Sequence, residues 1–238
     1  ISATLGSIQL GATGGGITLT DPGTATELTA GDNVTAVATG NILIDKLTRI
    51  TAAHSIALTA GASLTIDNAT LQAMAGSVSA SASAGLEVRN NAVVSASSDS
   101  TLTAGSALTV DHSTLTATTG SATLAANGGA MKLTTAAVAA GTALTGTASG
   151  AVTSTASTIA AGTNLALTAG TNLLLNAASA AIAGGNATLT ATAGFFKVDK
   201  ASSVTATNGA VSGQAGLAIS VLRGSSITAG TDVSMVAG

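Results

Sequence analysis

The sequence predicts an all-β fold, a right-handed parallel β-helix with three short strands in each coil of about 21–24 residues. Three observations predict it. The word AGTNL stands at 161–165 and again at 169–173, too close for a helix–turn–helix repeat. Apolar residues alternate with polar ones over runs of only three to five residues, which is a strand signal. Apolar residues make up 46% of the chain but aromatics only 1%, so a core must be built from Leu, Ile, Val and Ala.

A repeat register covers almost the whole chain. After a partial coil over 1–16, ten coils begin at residues 17, 41, 62, 86, 107, 130, 151, 172, 195 and 217, the last ending at 238. The first side of a coil is an alternating strand whose inward residues are Ile42 and Ile44, Leu64 and Ile66, Leu108 and Val110, Leu173 and Leu175, Phe196 and Val198, Ile219 and Val221. Five or six residues on comes a second inward position: Ile50, Leu71, Leu115, Val138, Ile159, Val204 and Ile227. A turn, often with Gly, leads to a third: Ile56, Val78, Leu102, Leu124, Leu144, Leu165, Leu189, Val211 and Val233. Strands this short must pair with their equivalents in the next coil. The two AGTNL words are then successive corners, one leading into the third side (Leu165, Leu167) and one into the first side of the next coil (Leu173, Leu175). Glycine recurs at such corners because a bend needs unusual φ or close backbone approach. Coils stacked at about 4.8 Å give a rod on the order of 50 Å long, and parallel crossovers are expected to be right-handed. A leucine-rich repeat has a similar period, but its signature is absent.

Composition excludes several classes. Net charge is −3 with no basic cluster, which argues against nucleic-acid binding. Mean hydropathy of +0.56 argues against disorder. No run of about 18 apolar residues predicts a membrane-spanning helix, and the near absence of aromatics removes the girdles of a membrane barrel. The first residues, ISATLGSIQL, lack the basic region of a signal peptide. With no Cys there is neither disulfide nor thiolate chemistry.

Candidate sites are few. Asp45, Asp67, Asp111, Asn176 and Asp199 follow the first strand directly. Asp and Asn there bond their own backbone in a turn; a calcium column would want the G-G-x-G-x-D word, which is missing. His54 and His112 are isolated, with no partner at metal-ligand spacing, and read as surface or turn residues. Phe196 reads as core and Phe195 as outward. Asp45, Lys46 and Arg49 form the densest charged patch, with Lys197, Asp199 and Lys200 next; neither supplies a carboxylate pair for acid–base work. Asn33, Asn68 and Asn186 open N-x-Thr words, which arise by composition alone in a chain so rich in Thr. No catalytic, cofactor-binding or metal-binding residue is assigned, and no enzymatic activity is expected.

Thr101 and Thr103, Thr123, Thr145, and Thr188 and Thr190 flank inward leucines on the third side. Stacked Thr on a flat β-helix face is an arrangement seen in ice-binding proteins, so ice or flat-surface binding is the rival function. Ala125, Ala143, Asn164 and Ala166 break the array, and Thr favours solvent-facing β positions in any case. A carbohydrate-active enzyme ranks third.

The words LTAGASLTID, LTAGSALTVDHSTLTATTG and AAGTNLALTAGTNLLLNAA resemble the repeats of filamentous haemagglutinin and related two-partner-secretion exoproteins, over about residues 17–238. The resemblance implies a long right-handed β-helical shaft, exported unfolded through a dedicated outer-membrane transporter. It implies a secreted, bacterial cell-surface fibre of the adhesin or contact-dependent inhibition kind, which meets host or neighbouring cells through other parts of the protein. The chain also starts and stops in full repeat rhythm, and Val233, Met235 and Val236 fall in the last coil with no cap after them. The expectation is a segment of a longer fibre, or one whose ends stack on other copies.

Overall fold

The computed structural model of the chain describes residues 1–20 and 26–238. It is a β-solenoid built from three parallel sheets, with no helix among the described residues. One coil illustrates the rest: Leu64–Asp67 on the first side, Thr70–Ala73 on the second and Val78–Ala82 on the third. The first sheet runs through ten strands from Ile17–Leu19 to Ala218–Val221. The second runs through eleven, from Ser2–Ala3 to Ser226–Ala229, and the third through eleven, from Ile8–Ala12 to Val233–Ala237. Each strand inside a sheet pairs in parallel with the strands one coil before and one coil after it. Val78, for instance, lies between Ile56 and Ser100.

Because pairing keeps register, each inward residue sits on the inward residue of the coil below. Ile42, Ile44, Leu64, Ile66, Leu108, Val110, Leu173, Leu175, Phe196 and Val198 are all buried on the first side, as are Ile50, Leu71, Leu115, Val138, Ile159 and Val204 on the second. Leu28, Val94 and Ala181 complete the second-side column. Phe195 points outward, as its place before Phe196 requires. In the final coil Val221 and Val233 keep their inward register and are 42% and 51% exposed.

The third side differs from the single inward position that the sequence predicts. Its five-residue strands carry three inward columns. Ile56, Val78, Leu144, Leu165, Val211 and Val233 occupy the first, whereas Leu102, Leu124 and Leu189 occupy the second. Three strands trade volume between the two columns, while Ile56 with Leu58 and Leu165 with Leu167 are large at both. Where the second position holds Leu102, Leu124 or Leu189, the first is small: Ser100, Ala122 or Ala187. The third column is alanine in all eleven strands, Ala12 to Ala237. The second sheet likewise ends every strand on Ala, from Ala3 to Ala229. Glycine makes room for larger core residues of its own coil and of the next. A Cβ on Gly146 would stand 2.8 Å from Leu167 Cδ2 and 3.6 Å from Met131 Sδ, and one on Gly213 would stand 3.1 Å from Phe196 Cε1.

Glycine at the corners serves close approach, not unusual φ. Among the described glycines only Gly224 has a left-handed φ (74°). A Cβ on Gly162 would run into the Gly141 carbonyl, and one on Gly170 into that of Ser149, which accounts for both AGTNL words. The left-handed residues gather instead at the corner between the first and second sides: Lys46, Leu47, Asn68, Asn90, Asn91, His112, Thr135, Ala156, Ala177, Ala178, Lys200, Ala201 and Arg223.

Two substitutions check this packing. Leu144→Asp places a carboxylate in the core and should cost about 4 kcal/mol or more in denaturant unfolding followed by circular dichroism; full retention of stability and β-signal would show that Leu144 does not face inward. Ser100 is buried with no partner for its hydroxyl among the described residues, so Ser100→Ala should be neutral or stabilising by up to about 1 kcal/mol. A clear loss of stability would mean that the hydroxyl is bonded.

Candidate functional site: the charged corner and the threonine face

The corner between the first and second sides carries most of the ionic chemistry. Each turn there follows a residue in one axial column, which includes Asp45, Asp67, Arg89, Asp111, Asn176 and Asp199. The expected bond from Asp to its own turn is made by Asp199, whose Oδ1 accepts from Lys200 N at 2.8 Å. The others bond differently. Asp45 Oδ1 accepts from Thr20 Oγ1 at 2.6 Å, Asp67 accepts from Arg89 Nε at 2.9 Å and Asn90 Nδ2 at 2.7 Å, and Asp111 meets His112 Nδ1 at 2.9 Å. The left-handed residue that follows the column makes the bend, so the carboxylates are free to reach side chains of their own or a neighbouring coil.

Buried serines complete the bend. Ser202 Oγ donates to Asp199 O at 2.7 Å and accepts from Ser179 N at 3.1 Å. Ser179 Oγ donates to Asn176 O at 2.8 Å and accepts from Ser157 N at 3.3 Å. Ser157 and Ser113 repeat the pattern. Side-chain oxygens form similar axial ladders at the corner leaving the third sheet, where Asn41 accepts from Ser63 N at 3.0 Å and Asn172 from Phe195 N at 3.1 Å, and at the corner leading into it. Asn33, Asp99, Asn164 and Asn186 each accept from the backbone N–H of the equivalent residue one coil later, at 2.8–2.9 Å. Two of the three N-x-Thr asparagines, Asn33 and Asn186, are therefore structural acceptors, while Asn68 lies exposed in a left-handed turn.

The two charged patches behave differently. No ion pair joins Asp45, Lys46 and Arg49 among the described residues. Arg49 instead lines an open cavity of about 420 Å³ with Glu27, Leu47, Asn68, Thr70 and Asn91. The second patch closes on Asp199, which is 2% exposed. Lys197 Nζ lies 2.9 Å away, and Arg223 adds Nε at 2.6 Å and a second contact through Nη2. Arg223 is 24 residues further on and was not part of the sequence-level patch. Hydrogen bonds from Arg223, then Lys197 and the Lys200 N–H, hold the Asp199 carboxyl far below its ordinary value against the opposing effect of burial. The same bond raises Arg223, and the Asp67 bond raises Arg89. His54 is an exposed corner residue whose Nδ1 lies 3.0 Å from Asp32, and His112 is exposed in its turn. Among the described residues no three His, Cys, Asp or Glu side chains converge as metal ligands do, and no helix is long and apolar enough to cross a membrane.

The threonine array is fuller than the sequence reading allowed. Thr101, Thr103, Thr123, Thr145, Thr188 and Thr190 do lie on the outer face of the third sheet. Ala143 and Asn164, read as breaks, precede their strands at the corner. The facing positions in those coils are Thr145 and Thr147 around Gly146, and Ala166 and Thr168 around Leu167. The strand-ending alanines Ala148 and Ala169 mark this register; counting back from them would have found Thr147 and Thr168. Ala125 and Ala166 are genuine interruptions.

No protein-family model, no curated protein and no solved structure matches this chain.

A depressed carboxyl contributes stability above its unfolded value, near pH 4, and loses it as pH falls toward the folded value. Thermal unfolding from about pH 6 to pH 2 should therefore show Asp199→Asn less stable than the parent at the upper end, with the gap closing below about pH 4. A gap that is constant with pH would remove the ionic role of Asp199.

Proposed function

We propose that this chain is part of the structural shaft of a secreted bacterial surface fibre, of the filamentous haemagglutinin-like kind. Its work is to span distance and to present binding or toxin modules carried elsewhere on the protein. The observation that supports this most directly is the unbroken register. Three sheets stack over ten or eleven strands each without a helix among the described residues, and each coil rests on its neighbours alone. An array of that kind gains stability by nearest-neighbour stacking, so folding propagates along it. A chain without Cys also suits export in an unfolded state through an outer-membrane transporter, the partner that the repeat words imply. On this reading the segment has no catalytic task, and the ligands of the fibre belong to other parts of it.

Electron microscopy of the full-length native protein, with this segment labelled, tests the reading. The expected image is a thin rod with the label along its length. A compact particle about the size of this segment would overturn it.

A further inference from the structure

We infer that the outer face of the third sheet is a lateral docking surface for a second copy of this chain, with the two rods parallel. The face offers two outward positions in each of its eleven strands, and none holds Asp, Glu, Lys or Arg. Fourteen hold Thr or Ser. The other two sheets carry charge on their outer faces: Glu27 and Arg49 on the second, Glu87, Lys132 and Lys197 on the first. A chain of net charge −3 meets least self-repulsion through its uncharged side. Thr, Ser and Ala also lose little rotamer freedom on burial.

Area and period point to a copy of the same chain. Eleven strands at about 4.8 Å, each about 17 Å long, give roughly 900 Å² per copy and about 1,800 Å² in a pair, within the range of a stable interface. A partner must match that strand repeat along nearly the whole rod, and a second copy does so by construction. Two-fold symmetry makes the contact self-complementary.

The edges of the face set the orientation. The corner leading into the third sheet carries Asp32, His54, Asp99 and Asp232, whereas the corner leaving it carries no charged residue. A two-fold axis along the rods sets each acidic edge against an uncharged one. An axis across the rods would set the acidic edges against each other.

Sedimentation at up to about 100 μM should show a dimer for the parent. Thr123→Lys with Thr145→Lys should give a monomer with unchanged β-sheet circular dichroism, while the control Thr116→Lys on the second sheet should remain dimeric. The chain has no Cys, so spin labels at Thr39→Cys and, separately, Thr192→Cys report orientation. Parallel rods give similar short same-site distances at both positions. An antiparallel pair would separate the Thr39 labels by about 40 Å along the axis and would overturn the parallel assignment. A monomeric parent, or a dimer that survives the lysines on the third sheet, would overturn the inference. So would thermal hysteresis by a monomer, which would assign the face to ice.

Discussion

Everything in this molecule depends on in-register parallel pairing from coil to coil. A backbone N–H in one coil bonds to a carbonyl in the next, so each side chain is stacked on the equivalent side chain of its neighbours. The cross-section must therefore be nearly the same in every coil. Two columns are alanine in every strand, which holds the side-chain volume there constant from coil to coil. Some of the variation is compensated, a gain at one position being met by a loss at another. Met131 lies over Gly146, Phe196 lies over Gly213, and Leu102 follows Ser100.

The same constraint governs the corners. Backbone groups that no strand engages still need partners, and the neighbouring coil supplies many of them along the axis. Ser, Asn and Asp do this with short side chains that reach one coil up or down. Ionic groups are left to the outside of the first and second sheets and to the corners. There a carboxylate such as Asp199 can be nearly enclosed because two cations and a backbone N–H meet it.

The strands and the core were legible in the sequence because period-two alternation survives even in four-residue words. Ile42, Leu64, Leu71 and Phe196 could be placed from local pattern alone. The double column on the third side was not, because Leu102 and Leu144 look equivalent until the residues two before or two after them are weighed for volume. The alanine columns were hidden by abundance: in so Ala-rich a chain an alanine every coil does not stand out. Corner chemistry was illegible for a different reason. Asn33 and Ser55, or Asp199 and Arg223, are partners at a separation of about one coil, and nothing near either residue announces the other. The threonine face was half read. Local pattern places Thr103 and Thr190, whereas Thr147 and Thr168 lie two residues beyond the positions that flank Leu144 and Leu165.

The alanine columns have a consequence for the history of the molecule. A coil bounded by the same small residues as its neighbours can be removed or duplicated whole, and the surfaces that meet afterwards already fit. Thickness is fixed by chemistry, whereas length is left open, to be set by how many times the unit was copied.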